Sequence, residues 1–262
     1  TPRVHLKYSP CKLFSIRASS GKGYRTPHAL AENTPLLAMG RTIHIDQDIE
    51  QEEAWNHGLS TSFNIPVAEK DLLLNAEYYY TDFKHQLIVN REQPEVLAFQ
   101  NLDGSSYSHT LQFDATYPVT NSFEVTAAYR WQSAKSTYYG QLKDRPLTSR
   151  YKGLLTLSYK TPLEKWQFDV TGQLIGPSRL YTAVNNSDGT SAYGLLNMQV
   201  TREFRLFSIY VGGENMTNYK QKNPILGAEN PWGTVFDATQ IWAPTDGIMG
   251  YVGVRFKFNK YR

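Results

Sequence analysis

Apolar and polar residues alternate with a period of two along most of the chain. Trp166, Phe168, Val170, Gly172 and Leu174 fall on one face of a segment whose other face carries Gln167, Asp169, Thr171 and Gln173. Successive side chains of a strand point to opposite faces, so this repeat predicts a β-strand with two unlike sides. The same rule picks out about eleven segments. They run through Val4–Tyr8, Phe14–Ala18, Leu59–Phe63, Leu72–Tyr80, Leu111–Tyr117, Phe123–Trp131, Leu155–Tyr159, Trp166–Leu174, Leu196–Val200, Phe207–Gly213 and Val252–Phe258.

The connections alternate in length. Ser9–Lys12, Pro66–Asp71, Pro118–Ser122, Thr161–Lys165 and Glu203–Arg205 are short and turn-like. Ser20–Glu50, Arg91–Ser105, Ser133–Arg150, Pro177–Ser191 and Thr217–Asp246 are long. In an antiparallel meander this puts every short connection at one end and every long one at the other. Long loops are unusual in a compact soluble domain, whereas a transmembrane barrel has short periplasmic turns and long extracellular loops. A two-sheet sandwich also explains the alternation, but it gives no reason for the loop parity. Nor does it explain why Tyr8, Tyr78, Tyr80, Tyr117, Tyr129, Trp131, Tyr159 and Trp166 sit at the ends of the apolar face, where the girdles of a barrel lie. The expected fold is all-β: an antiparallel transmembrane wall, apolar face to lipid and polar face to a wet lumen.

Composition narrows this reading. No apolar run nears the ~18 residues of a spanning helix, and mean hydropathy is −0.48. That excludes an α-helical membrane protein but not a barrel, whose strands are apolar only at alternate positions. Aromatics make up 13% of the 262 residues, with 18 Tyr, which suits girdles. A net charge of +3 is too small to argue for nucleic acid. The single cysteine, Cys11, leaves no internal disulfide and no cysteine-based metal site. Thr1 to Pro10 read as strand and turn rather than as a signal peptide, so a leader is expected to have been removed or to lie upstream.

Three stretches resemble a known family. Ser20-Gly21-Lys22-Gly23-Tyr24-Arg25-Thr26-Pro27 resembles the S-x-G-x-[FY]-R-x-P box of TonB-dependent outer-membrane receptors. Gly213-Glu214-Asn215-Met216-Thr217-Asn218-Tyr219 resembles the G-x-E-N-L-x-N-x-x-Y segment before their last extracellular loop. Gly250-Tyr251-Val252-Gly253-Val254-Arg255-Phe256-Lys257-Phe258 resembles their last strand, although Asn259, Lys260, Tyr261 and Arg262 follow its terminal aromatic. The resemblance implies that residues 1–262 are the C-terminal half of a 22-stranded barrel, with the plug domain, its TonB box and the first half of the barrel supplied elsewhere. It further implies a Gram-negative outer membrane and energised uptake of an iron chelate, haem or a corrinoid. The implied partners are plug and first barrel half, TonB through the plug, outer-membrane lipid, the nutrient, and a surface lipoprotein. The competing reading is a barrel whose loops bind a partner without transport.

Catalytic chemistry is not indicated. Gly21-Lys22-Gly23 lacks the Lys-Ser/Thr and following helix of a P-loop. HExxH and G-x-S-x-G are absent, which leaves an outer-membrane hydrolase as a remote third reading. Glu52 and Glu53 are expected at a solvated loop end. Lumen-face charges (Arg17, Glu77, Asp114, Glu124, Arg130, Asp169, Glu214, Arg255) are expected to pair with one another or with the plug. Ligand contacts are expected from the long loops. In haem receptors of the family a His lies between an [FY]-R-A-P box and an N-P-[ND]-L box. His28 follows Tyr24-Arg25-Thr26-Pro27 and precedes Asn33-Thr34-Pro35-Leu36, so the resemblance makes it the candidate haem ligand; His44 and Met39 are weaker ones. Tyr138, Tyr139, Trp232, Phe236 and Trp242 either cover a ligand or pack the loops together. No resident cofactor or metal is expected; haem or a metal chelate would be cargo.

Overall fold

The computed structural model describes residues 1–93, 95–184 and 187–257. Its strands, in chain order, are β1 (Arg3–Cys11), β2 (Phe14–Arg25), β3 (Thr42–Ile45), β4 (Glu52–Val67), β5 (Lys70–His85), β6 (Leu87–Asn90), β7 (Val96–Asn101), β8 (Ser106–Pro118), β9 (Phe123–Tyr138), β10 (Gln141–Asp144), β11 (Tyr151–Lys160), β12 (Trp166–Ile175), β13 (Arg179–Val184), β14 (Ser187–Gly189), β15 (Tyr193–Glu203), β16 (Phe207–Glu214) and β17 (Met249–Phe256). Eleven of them form an antiparallel path in the order β1-β2-β4-β5-β8-β9-β11-β12-β15-β16-β17, and β10 folds back on β9. Each of the eleven expected segments lies in one wall strand. Phe258 and the tail behind it lie outside the described residues. Among those residues no helix is long and apolar enough to cross a membrane.

Register separates the two faces of the wall. One row runs Phe14–Phe63–Leu74–Ala115–Ala127–Leu155–Gly172–Leu196 across eight strands. Nearer the short turns a second runs Phe123–Tyr159–Phe168–Val200–Val211–Val252. Both rows carry only apolar side chains, tyrosine or glycine. Rows on the other face read Lys7–Arg17–Ser60–Glu77–Gln112–Arg130–Lys152 and Thr116–Thr126–Thr156–Thr171–Asn197. In the latter the hydroxyls of Thr116 and Thr126, and of Thr156 and Thr171, pair at 3.1 and 3.0 Å. A one-residue slip in any strand would turn its apolar side inward, so the whole pattern fixes the register.

The apolar rows are open to the surroundings. Leu155 is 46% exposed, Phe168 41% and Val211 55%. A sandwich would bury this face under a second sheet; here the covering medium is lipid. The ends of the band carry the expected aromatics. Toward the short turns Arg202 lies over Trp166, 4.7 Å from the ring centre, and Trp166 stacks beside Phe168. Toward the long loops Trp55, His57, Tyr80 and His109 stack in series, and the Tyr78 hydroxyl and His109 Nδ1 are 2.8 Å apart.

The buried apolar core lies outside the wall. Leu87, Leu97 and Phe99 form its centre, with Leu36, Met39, Ile49 and Val89 against them. All of these residues lie between wall strands, in the connections 26–51 and 86–105. The long connections are therefore not the structureless loops expected. They hold a 3-10 helix (Ala31–Leu37), the three-stranded sheet β3-β7-β6 and the β13–β14 pair.

Strand ends are also corrected. The Ser20–Arg25 box is strand, paired residue by residue with Glu52–His57, and β9 runs on to Tyr138. β4, β5 and β9 each have 16 residues, more than the ~9–11 that span a bilayer, so these hairpins stand above the membrane. Alternation fades there because neither face meets lipid, and the sequence reading stopped too soon. Glu52 and Glu53 likewise sit within β4 and are not free: Glu53 pairs with Lys22 at 2.7 Å, and Glu52 pairs with Arg25 and accepts from the Leu87 amide at 3.0 Å.

Candidate functional site

The five long connections pack into one cap, and a buried charge cluster joins them. Asp237, in the connection 215–248, forms an ion pair with Arg91, and both side chains are almost wholly buried. Arg41 reaches the same carboxylate at 3.6 Å and donates to the carbonyls of Arg91 and Gln93 at 3.0 Å each. The second Asp237 oxygen accepts from the Thr239 amide and hydroxyl at 2.9 and 2.7 Å. The Arg91 guanidinium lies over the Tyr181 ring, 4.5 Å from its centre. Next to it in sequence, Glu92 accepts from Lys143 and Arg179, both at 2.7 Å. Arg179 also donates to the Asp144 carbonyl at 2.6 Å and lies over the Tyr138 ring.

Backbone contacts close the cap across the wall. The Gly40 amide donates to the Phe236 carbonyl at 3.0 Å and the Ala238 amide to Ala38 at 3.2 Å. A β-carbon at Gly40 would stand 2.1 Å from the Gly233 carbonyl oxygen, so only glycine permits this approach. The two connections that meet here adjoin β4 and β16, seven steps apart in the sheet. On a flat sheet that is about 34 Å at the usual ~4.8 Å strand spacing. Their contact requires a curved wall with the loops arching over its open side.

Burial and charge set the electrostatics. Desolvation lowers the Arg41 pKa, the nearby Arg91 lowers it further, and Asp237 offsets part of this. Burial alone would raise the pKa of Glu92, but the hydrogen bonds from Lys143 and Arg179 outweigh it and hold the carboxyl below its ordinary 4.5. A carboxylate whose folded pKa is depressed contributes stability above its unfolded pKa and loses it as pH falls through the folded value. The Glu92 tie is therefore expected to hold at neutral pH and to fail below pH 4.5. A spin label at the exposed position Tyr139 should gain mobility over that acid range, and Glu92→Gln should abolish the step.

The expected ligand residues do not form one site. Tyr138 is buried at the end of β9 and lines a cavity of about 360 Å³ with Leu36, Leu87, Arg145 and Tyr181. Trp242 is half-buried, lies tilted against Tyr193 and Tyr219 with centroids 5.7 and 6.4 Å away, and lines a second cavity of about 490 Å³ with Lys220, Lys222 and Leu180. Trp232 is 95% exposed, and Tyr139 is exposed. Phe236 holds Gly40 through its backbone. His28 is exposed below the 3-10 helix, where its amide donates to Glu32 at 3.3 Å. Of the weaker candidates, His44 is exposed and 3.5 Å from Asp46, and Met39 packs on the cap core.

The family-like motifs have structural work here. Arg25 of the first box pairs with Glu52 and, at 2.8 Å, with Glu32, tying the 3-10 helix to the hairpin. Asn215 of the second is buried in the left-handed region at φ 51°, which asparagine tolerates. Its side chain donates to the carbonyls of Tyr219 and Asp246 at 2.8 and 3.0 Å, pinning both ends of the last connection.

Residues 1–216 match the family described as TonB dependent receptor-like, beta-barrel. The chain belongs to that family. Barrels of TonB-dependent receptors lie in the outer membrane of Gram-negative bacteria, and the lipid-facing rows of this chain belong there. Three solved relatives show the same fold. The FrpB iron transporter of Neisseria meningitidis superposes with a TM-score of 0.67 at 15% identity, covering 98% of this chain and 38% of its own. For the ferric enterobactin receptor mutant of Pseudomonas aeruginosa the values are 0.68, 13%, 98% and 40%. For the copper transporter OprC they are 0.70, 13%, 98% and 39%. The chain thus spans about two-fifths of the length of these structures. No curated protein sequence matches it.

Of the two partners expected for the lumen charges, one another and the plug, the first is not found. Among the described residues none of these eight charges has an ion-pair partner within 4.0 Å. Asp169 instead accepts from Ser158 at 2.7 Å and Gln167 at 2.9 Å, and Asp114 accepts from Gln112. Within this chain these groups therefore do not pair with one another, which leaves the plug as their expected counter-charge. Pattern reading missed Arg41, Arg91, Glu92, Arg145, Arg179 and Asp237, because no local repeat marks them; Arg91 and Asp237 are 146 residues apart.

Proposed function

We propose that this chain is the C-terminal half of a receptor barrel that binds a scarce nutrient beneath its loop cap and admits it with energy from TonB. The observation that carries this is the cap itself: five connections tied by Asp237 and Glu92 enclose cavities above a polar wall whose edge strands, β1 and β17, have no outer neighbour among the described residues. An unpaired sheet edge invites another strand, and the first half of a 22-stranded barrel would supply one at each edge. A plug domain in the lumen would meet the unpaired row of Lys7, Arg17, Glu77 and Arg130. The cargo class is an iron chelate, haem or a corrinoid, and the barrel does no catalysis.

Uptake of labelled ferric chelate, haem and cobalamin by cells carrying the full-length receptor tests this. TonB-dependent accumulation of one of them is expected. Surface adhesion with no accumulation of any would instead support the reading in which the loops bind a partner without transport. If haem is the cargo, His28 is its candidate iron ligand; the Soret band should then change in His28→Ala, and an unchanged band with unchanged affinity removes His28 from that role.

A further inference from the structure

Two cavities adjoin within the cap and share Arg145 and Thr148. One, about 360 Å³, has an apolar side of Pro35, Leu36, Leu87 and Val89 and is also lined by Tyr138 and Tyr181. The other, about 280 Å³, is lined by Lys135, Arg145, Arg150 and Arg179 with Asp144 and Trp131.

The charges around them are unbalanced. Every carboxylate at the cavities already holds a cation: Glu32 pairs with Arg25, and Asp144 pairs with Arg150 at 2.9 Å. Arg145 and Lys135 have no carboxylate within 4.0 Å among the described residues. Arg179 keeps its Nη2 buried and without a hydrogen-bond partner among them. The charge of Arg145 is felt at the phenols of both Tyr138 and Tyr181. Of the charged residues that line the two cavities, Lys135, Arg145, Arg150 and Arg179 outnumber Glu32 and Asp144. A partly desolvated cavity with excess positive charge favours an anion and opposes a cation.

We propose that the adjoining cavities centred on Arg145 bind a small organic anion, with its acid group at Arg145 and its flat apolar body against Tyr138, Tyr181, Leu36 and Leu87. Free cations and phenol hydroxyls suit an acceptor-only head such as a carboxylate or a phosphate. The aliphatic and aromatic lining suits an aryl body rather than a sugar. Lys135 extends the positive surface into the second cavity. This inference rests on the reading of the cap as the ligand-binding face.

Calorimetry on the purified full-length receptor tests it with three probes: 1-naphthoate, 1-naphthylmethylammonium and inorganic phosphate. Naphthoate should bind, phosphate should bind more weakly, and the ammonium should not bind. Arg145→Gln should weaken naphthoate about tenfold or more, the equivalent of one lost charged contact. Arg145→Lys should keep most of the affinity, and Tyr138→Phe should lose less than Arg145→Gln. Arg145 is exposed and holds no carboxylate among the described residues, so its replacement leaves the fold intact. Lys165→Gln, in a short turn, should change nothing. Equal affinity for naphthoate in Arg145→Gln, or binding of the ammonium as tight as that of the acid, overturns the proposal. TonB plays no part in this assay: TonB-dependent uptake that persists without naphthoate binding sinks this site alone, and naphthoate binding without uptake of any cargo sinks the uptake reading alone.

Discussion

Asp237→Ala is expected to open the cap. Arg91 is fully buried, and two of its three guanidinium nitrogens, Nε and Nη1, have no hydrogen-bond partner among the described residues. Asp237 is the carboxylate that it and Arg41 both face. Removing one member of a buried ion pair leaves an uncompensated charge and costs about 3–5 kcal/mol. That energy is charged to the cap rather than to the wall, whose ladders do not involve Asp237. Proteolysis of intact cells should therefore cut within 26–51 and 215–248 much faster than in the parent, while the barrel remains inserted and heat-resistant. Asp237→Asn keeps an acceptor for Arg91 and should fall between the two. An Asp237→Ala cap that resists protease like the parent would show that the apolar cluster of Leu87, Leu97 and Phe99 holds the loops unaided.

Leu155→Arg should damage the other half of the structure. Leu155 sits in the row between Ala127 and Gly172, midway along β11 and 46% exposed. A cation on the lipid face near the bilayer midplane costs about 2–4 kcal/mol. The next residue, Thr156, points to the lumen beside Thr126 and Thr171, where Thr156→Arg meets water and should be tolerated. The contrast is the informative part: folding yield into lipid vesicles should drop sharply for Leu155→Arg and little for Thr156→Arg. Equal losses would mean that the two faces do not see different solvents.

What the sequence revealed follows from which forces repeat along it. Lipid on one side and water on the other impose the same demand at every second residue, so the wall was legible strand by strand, from Val4 to Phe256. Turn chemistry marked the membrane side of each hairpin equally well. Above the bilayer that demand stops. β2 runs on through the Ser20–Arg25 box and β9 through Tyr138, with mixed side chains on both faces, and the periodic rule ended them early. The cap is specified by pairs far apart in the chain, such as Arg91 with Asp237 and Arg179 with Glu92. No spacing announces such pairs, and the aromatic candidates drawn from the loops divided between two cavities, the cap packing and the exposed surface. Motif reading found real landmarks in Arg25 and Asn215, which turn out to fasten the bases of two loops.

The central claim is that one face of this sheet meets lipid and the other a wet lumen. The direct measurement places single cysteines at 168, 169, 170 and 171 of the full-length receptor, with the exposed Cys11 replaced by Ser. Each is labelled with a nitroxide, and its relaxation by oxygen, which partitions into lipid, is compared with that by a water-soluble nickel complex. Strict alternation is expected: positions of Phe168 and Val170 accessible to oxygen, positions of Asp169 and Thr171 accessible to nickel. Uniform accessibility along the strand, or nickel access at 168 and 170, would contradict it.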